Sequence, residues 1–104
     1  MAKILNCKTP NIPWQEKPAN FDGPVWRYSE NPIIDRSFVK EANSIFNSAV
    51  VRRKNDFAGV FRVDDLTREQ YLVTGFSPDG IHWKLNDKKI FRGYDPRLCE
   101  IDGK

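Results

Sequence analysis

Four short apolar runs, each separated from the next by a polar turn, limit this chain to a small set of folds. The runs are rich in β-branched and aromatic residues, which favour extended backbone, and none keeps the 3.6-residue spacing of a helix. The Ser77–Gly80 turn has Pro and Gly at positions that suit a tight turn. Such a series predicts an all-β antiparallel meander, the unit of a β-propeller blade. The predicted strands are Ile45–Val51, Phe57–Val63, Tyr71–Phe76 and Ile81–Leu85.

Prolines are concentrated in the stretch before the first predicted strand. Each proline removes a backbone donor and restricts φ, so neither a long helix nor a central strand fits there. The same stretch carries aromatic residues, which a disordered linker seldom has. We therefore expect residues 1–42 to form an extended proline-rich arm and residues 43–104 to form the β domain. The prolines are Pro10, Pro13, Pro18, Pro24 and Pro32, and the aromatic residues are Trp14, Phe21, Trp26 and Tyr28.

Charge and cysteine content argue against several classes of function. The chain has 104 residues, enough for one small domain, with 17 Lys and Arg, 14 Asp and Glu, and a net charge of +3. The basic residues are scattered apart from 52–54 and 88–89, so a small nucleic-acid-binding domain is the least favoured interpretation.

Cys7 and Cys99 match no metal-ligand spacing, and no metal or cofactor is expected. The apolar patch in residues 1–6 is too short for a signal peptide or membrane span, which predicts a cytoplasmic chain with no membrane partner.

The last residues resemble the beginning of a further hairpin. Leu98–Ile101 is strand-like, and Asp102-Gly103 is a strong signal for a two-residue hairpin turn, but no partner strand follows. A single propeller blade cannot bury both faces, because such repeats close their core against neighbours. The pattern therefore predicts the N-terminal part of a larger protein, with one blade and the start of a second. Exposed strand edges favour pairing with a second copy, so a homo-oligomer is expected.

Arg62 is a candidate site residue because it lies within an otherwise apolar strand. Strand alternation places it on the same face as Ala58 and Val60, where a guanidinium is costly unless it meets a carboxylate or a ligand. An internal ion pair with Asp64 or Asp65 would satisfy it. A contact with a sugar hydroxyl or an anion at the mouth of a propeller would satisfy it equally well.

Two further groups of polar residues are candidates, and each has a structural and a functional interpretation. The short side chains around the first strand suit turns and caps, but they also supply the donors and acceptors that a sugar site needs. Asp95 precedes a proline, which predicts extended backbone and a fixed direction for its side chain. It either starts an Asx turn or acts as a general acid whose pKa is raised by an enclosed site. His82 is expected to be a surface or packing residue. The residues around the first strand are Asn43, Ser44, Asn47 and Ser48.

Four motifs in register resemble the start of the glycoside hydrolase family 130 enzymes, the β-mannoside phosphorylases. They are "NSIFNSAVV", "FAGVFRVDD", "GFSPDGIHW" and "GYDPRLC", and the arm "NIPWQEKP…VWRYSENPII" is similar to that of the mannosyl-N-acetylglucosamine and mannooligosaccharide phosphorylases. The resemblance runs from about Ile12 to Lys104. It implies a five-bladed β-propeller with the active site in its central cavity.

The resemblance also implies a reaction and a set of site residues. Family members cleave β-mannosides with inorganic phosphate as co-substrate and invert the anomeric centre, giving α-mannose 1-phosphate; some hydrolyse instead. Asp95 takes the position of the catalytic acid, with its proton routed through a mannose hydroxyl. Phosphate replaces the activated water of an ordinary inverting enzyme, so no second carboxylate base is needed. The implied mannose-site residues are Asn43, Ser44, Asn47, Arg62 and Asp65, with Asp64 and Tyr94 beside them.

Two departures from the family pattern limit what this chain is expected to do alone. The family's phosphate-binding Arg and Lys residues lie in later blades, and the span from Trp83 to Tyr94 is shorter than the family pattern. We therefore expect the chain by itself to lack phosphorylase activity. Phosphorolysis and hydrolysis remain open, as does the identity of the leaving sugar. The alternative is a truncated, non-catalytic β domain that binds carbohydrate or a protein partner.

Overall fold

The computed structural model describes residues 16–104, and its regular structure is almost entirely antiparallel β-sheet. The predicted all-β class is confirmed. Cys7, Trp14 and the first part of the predicted arm lie outside the described residues. The elements are a 3-10 turn at Arg36–Phe38 and the strands β1 (Ala42–Arg52), β2 (Phe57–Asp65), β3 (Gln70–Ser77), β4 (Lys84–Leu85) and β5 (Phe91–Arg92).

The sheet is a meander in which each long strand pairs with the next. β1 pairs with β2 and β2 with β3, while β4 and β5 both pair with β3, at opposite ends of it. The predicted fourth strand, Ile81–Leu85, is wrong at its beginning, since only Lys84 and Leu85 are in strand. The backbone N–H groups of Ile81 and His82 donate instead to Oδ1 of Asp79, at 2.9 and 2.8 Å. The Ser77–Gly80 turn therefore continues into residues that the sequence prediction assigned to the fourth strand.

One face of the sheet carries the core. Phe61, Val63 and Val73 are almost fully buried there, with Leu85 beside them. The Trp83 ring packs edge-on against Phe61, with ring centroids 5.1 Å apart. Alternation along β2 explains this arrangement, because its odd-numbered residues from Phe57 to Val63 are buried and its even-numbered residues are half-buried. Arg62 accordingly lies on the other face with Ala58 and Val60, as predicted.

The segment before the sheet also contributes to the core. Ile34, Phe38 and Val39 pack against it from residues that have no strand partner in the described chain. The 3-10 turn is capped by Asp35, whose Oδ1 accepts hydrogen bonds from the Ser37 backbone and hydroxyl at 2.7 and 2.5 Å.

Among residues 16–104 there is no helix of the length and apolarity that crossing a membrane requires.

The last residues form the predicted turn without the predicted strand. Ile101 and Lys104 exchange backbone hydrogen bonds of 2.9 and 3.0 Å, and φ is 51° at Asp102 and 73° at Gly103. These are the features of a type I′ hairpin turn, so the Asp-Gly prediction is confirmed. The strand predicted at Leu98–Ile101 is wrong, because no segment of the described chain forms a ladder with it.

Candidate functional site

The Asp95 carboxylate is the meeting point of three separate segments of the chain. Its Oδ1 atom accepts a hydrogen bond of 2.7 Å from Nδ2 of Asn47, which lies 48 residues earlier. The same atom accepts one of 3.2 Å from Nη1 of Arg62, which lies 33 residues earlier. The Asp95 side chain remains 42% exposed. The structure therefore brings together three of the residues predicted for the site.

Arg62 joins Asp95 to a second carboxylate. Its Nε and Nη2 atoms donate to the two oxygens of Asp64 at 2.8 and 3.1 Å, a bidentate pair on a side chain that is only 13% exposed. Of the two ion-pair partners left open by the sequence, Asp64 is the one observed. Because Nη1 also reaches Asp95, the pairing with Asp64 still leaves Arg62 within the candidate site.

A β-bulge directs Asn47 towards Asp95. The register of β1 on β2 shifts between Phe46 and Ala49, and Asn47 has a φ of 48°. Asn is among the residues that tolerate this left-handed conformation, and bulges of this kind turn a side chain away from the regular pleat. Strand alternation alone would not have predicted this direction.

The backbone and the pKa of Asp95 both differ from the prediction. Its φ is 49°, so the extended conformation expected before Pro96 is wrong. Asp95 lies in the loop after β5, and hydrogen bonds from Asn47 on β1 and Arg62 on β2 hold its side chain; these tertiary contacts outweigh the local preference. The hydrogen bond from Asn47, opposed by partial burial and aided by Arg62 and the charge of Arg97, holds the pKa of Asp95 below its ordinary value. A raised pKa is therefore also wrong for this chain, in which the carboxylate is not enclosed.

Asp65 lies outside this cluster and organises a turn. Its Oδ1 accepts hydrogen bonds from the Thr67 backbone, the Thr67 hydroxyl and the Glu69 backbone, at 2.9, 2.7 and 3.0 Å. The hydroxyl bond, together with the backbone bonds and the charge of Lys89, lowers the pKa of Asp65 against the effect of burial. The structure therefore does not bring this residue to Asp95, and its role in a sugar site stays a prediction.

Asn43, Ser44 and Tyr94, three further predicted residues, lie near the Arg62–Asp64 pair or next to a residue that does. Asn43 Nδ2 lies 3.5 Å from the Ser44 hydroxyl, and Ser44 is the cross-strand partner of Asp64. Tyr94 is 67% exposed, and its ring centroid lies 5.8 Å from Cζ of Arg62. Ser44 and Tyr94 therefore lie beside the Arg62–Asp64 pair, Asn43 lies next to Ser44, and the exposed Asn43 and Tyr94 leave donors and acceptors open to solvent. Such a surface can bind a polyhydroxylated ligand.

Phe46 belongs to the site although the sequence did not single it out. Its ring centroid lies 4.4 Å from Cζ of Arg62, closer than that of Tyr94. Phe46 and Arg62 are cross-strand partners, so the register of β1 on β2 would have revealed the contact. No sequence pattern gives that register, because it depends on the bulge that follows.

His82 and the acidic residues form no metal-binding cluster in the described part of the chain. The His82 side chain is 75% exposed and contacts Oδ2 of Asp79 at 2.6 Å, in keeping with the predicted surface role. Residues 16–104 contain no cluster of three or more His, Cys, Asp or Glu side chains suited to a metal ion.

Comparison with known proteins agrees with the resemblance in the motifs. Residues 6–104 match the sequence model of glycoside hydrolase family 130, described as beta-1,4-mannooligosaccharide phosphorylase. The chain is 50% identical over 119 aligned residues to the beta-1,4-mannooligosaccharide phosphorylase of Ruminococcus albus, covering 96% of this chain and 36% of that relative. This chain therefore spans about a third of the relative's length. The 119 aligned residues exceed the 104 of this chain, so the relative has residues within the aligned region that this chain lacks. The shorter span between Trp83 and Tyr94 stays a prediction. The match over most of its length shows that the chain belongs to glycoside hydrolase family 130.

Proposed function

We propose that this chain is the N-terminal part of an inverting β-mannoside phosphorylase. Residues 43–104 would form the first blade of a five-bladed propeller and the start of the second, with residues 1–42 as an extended arm. The substrates would be a mannose-containing oligosaccharide and inorganic phosphate, and the setting would be the cytoplasm. The observation that carries the proposal is the convergence of Asn47 and Arg62 on the Asp95 carboxylate, in a chain that is 50% identical to a mannooligosaccharide phosphorylase.

In this mechanism Asp95 is the general acid. A phosphate oxygen forms a bond to the anomeric carbon from the face opposite the leaving group, and the glycosidic C–O bond breaks. The Asp95 proton passes to a mannose hydroxyl, which in turn protonates the departing glycosidic oxygen. The products are α-mannose 1-phosphate and the shortened sugar, and Asp95 is left as a carboxylate.

Asn47 and Arg62 would act on the carboxylate that proton donation creates. Each already donates to Oδ1 of Asp95, and the guanidinium places a positive charge beside the developing negative one. Interactions that strengthen as charge develops are those that lower the barrier. Asp64, bound to the other edge of the guanidinium, would hold Arg62 in place, and Asn43 and Ser44 would contact the mannose.

The same contacts support the expectation that this chain alone does not catalyse the reaction. A general acid must carry its proton at the working pH, whereas Asn47 and Arg62 hold the pKa of Asp95 below its ordinary value here. Enclosure by further blades would raise it by removing water from the carboxylate. Those blades would also carry the cations that bind phosphate.

A chimaeric enzyme tests the proposal directly. This chain replaces the matching part of the Ruminococcus albus phosphorylase, and phosphorolysis of β-1,4-mannobiose is followed by release of α-mannose 1-phosphate. We expect activity in the chimaera and its loss, by about 100-fold or more, in Asp95→Asn. Asp102→Asn removes a carboxylate from the exposed turn and serves as the matched control. A fully active Asp95→Asn chimaera would exclude the assigned role.

A second candidate function needs no catalysis and fits the exposed state of the site. Asp95, Asn47 and Tyr94 present acceptors, donors and an exposed ring together, which is the chemistry of a sugar-binding surface. When this chain is titrated with mannobiose and followed by NMR, the side-chain signals of Asn47 and Arg62 should shift. In Asn47→Gly the shift of the Arg62 signal should be lost. Binding to an oligonucleotide that weakens with salt would favour the nucleic-acid interpretation instead.

A further inference from the structure

Phe46 contacts the guanidinium that joins the two carboxylates of the candidate site. The Cζ atom of Arg62 lies 4.4 Å from the centroid of the Phe46 ring. The two residues are direct partners on β1 and β2, so their side chains project from the same face of the sheet. A guanidinium stacks favourably on an aromatic face at this distance, and Arg does so better than Lys.

The orientation of this guanidinium decides whether it reaches both carboxylates. Nε and Nη2 are taken by Asp64, which leaves Nη1 to reach Asp95 at 3.2 Å. The two hydrogen bonds to Asp64 fix the Nε–Nη2 edge of the guanidinium. The guanidinium plane can still tilt about that edge, which would move Nη1 away from Asp95. A ring over the guanidinium restricts that tilt, and Phe46 occupies such a position. Phe46 is 37% exposed, so the ring lies at the surface of the sheet above Arg62 and is not part of the buried core.

We infer that Phe46 is a positioning residue, whose ring holds the Arg62 guanidinium in the orientation that joins Asp64 to Asp95. Its catalytic meaning rests on the proposed function, in which Arg62 must stay beside Asp95 as the proton leaves. The geometric claim does not rest on the proposed function, because it concerns only contacts among four side chains of this chain. Phe46 carries no charge; the charged groups that face Asp95 are Arg62 and Arg97, with Asp64 bound to the far edge of Arg62.

The test is a pH titration of the Asp95 carboxyl carbon by NMR in this chain. Phe46→Leu keeps an apolar side chain but removes the ring, so Nη1 loses its fixed approach and the pKa of Asp95 should rise. Phe46→Tyr restores the ring and should return the titration to that of the wild type. An unchanged titration in a folded Phe46→Leu chain would overturn the inference.

Phe76 provides a matched control on the same sheet. It is 44% exposed and stacks on Arg53 with 5.2 Å between the ring centroid and Cζ, and Arg53 is paired with Asp56. Phe76→Leu therefore removes a comparable ring from a comparable ion pair, and the Asp95 titration should not change. An equal rise in Phe76→Leu and Phe46→Leu would mean that general loosening of the sheet is responsible, which also overturns the inference.

A second measurement needs no variant and covers the case in which Phe46→Leu does not fold. In the wild-type chain, the Phe46 ring current should shift the Arg62 side-chain protons upfield, with nuclear Overhauser contacts between the two side chains. Ordinary Arg62 shifts without such contacts would overturn the inference. Neither measurement involves turnover, so a failed phosphorylase assay on the chimaera and a failed positioning test remain separate results.

Discussion

Asn47 and Asp95 are joined by a hydrogen bond of 2.7 Å between Nδ2 and Oδ1, although 48 residues separate them in the chain. The bond links a bulge in β1 to the loop that follows β5. Both residues have positive φ angles, of 48° and 49°, so the backbone at each end departs from regular strand geometry where the two side chains meet. Residues with such unfavourable backbone angles persist only where the surrounding structure fixes them, and they are concentrated at functional sites.

Replacing Asn47 separates the backbone role of this residue from its side-chain role. Asn47→Gly accepts the positive φ but lacks the amide, so the chain should stay folded while the pKa of Asp95 rises. Asn47→Ala loses the amide and also forces a Cβ into the left-handed region, which should cost about 1 kcal/mol of unfolding free energy relative to Asn47→Gly. Urea unfolding and the Asp95 titration measure the two effects. Equal stability of the two variants would contradict the conformational argument.

The Phe61 ring packs over two glycines that face each other on β2 and β3, where any side chain would clash with the ring. Gly59 and Gly75 are cross-strand partners, and a Cβ on either would lie 2.7 or 2.8 Å from the Phe61 ring. Phe61 is only 2% exposed and belongs to the buried core, so moving its ring aside would disturb the packing of that core. We expect Gly75→Ala to lower the unfolding free energy by about 1–3 kcal/mol in urea.

Gly93 gives the control for this substitution. A Cβ there would lie 3.0 Å from Phe91, whose exposed ring can rotate away, so Gly93→Ala should have little effect. If Gly75→Ala and Gly93→Ala were equally harmless, packing against Phe61 would not be the reason for the paired glycines.

The Asp79 carboxylate makes stability depend on pH. Burial acts to raise its pKa, but hydrogen bonds from His82, Ile81 and Ser77 outweigh burial and hold the pKa well below its ordinary value. A pKa that is lower in the folded state contributes stability above the unfolded value of about 3.9, and this contribution is lost as pH falls towards the folded value. Urea unfolding between about pH 2 and 6 should show that decline. Asp79→Asn, which cannot ionise, should show a smaller decline over the same range; an identical decline would contradict this assignment.

The chain by itself should show no phosphorolysis of β-1,4-mannobiose. It spans 36% of its relative, and hydrogen bonds from Asn47 and Arg62 hold the pKa of its Asp95 below the ordinary value. Release of α-mannose 1-phosphate by the purified 104-residue chain is the measurement, with the Ruminococcus albus phosphorylase as the positive control. Robust turnover would show that the proposed role of further blades is wrong.

Much of the fold was predictable because it depends on local pattern. Runs of β-branched and aromatic residues identified the first three strands, alternation identified the face on which Arg62 lies, and turn chemistry identified the Asp102-Gly103 reversal. The errors have non-local causes. The fourth strand begins late because Asp79 takes the amides of Ile81 and His82, and Leu98–Ile101 is not a strand because a strand needs a partner.

The candidate site shows the same distinction between features set by the local sequence and features set by tertiary contacts. The sequence by itself determined which chemical groups exist, through motifs that identify the family and a set of polar residues at strand ends. Only the tertiary structure decided which of them meet: Arg62 pairs with Asp64, Asn47 and Arg62 reach Asp95, Phe46 stacks on Arg62, and Asp65 serves a turn instead. The physical reason is that register and bulges depend on pairing between strands, so a one-residue shift changes every neighbour across the sheet while the local pattern stays the same.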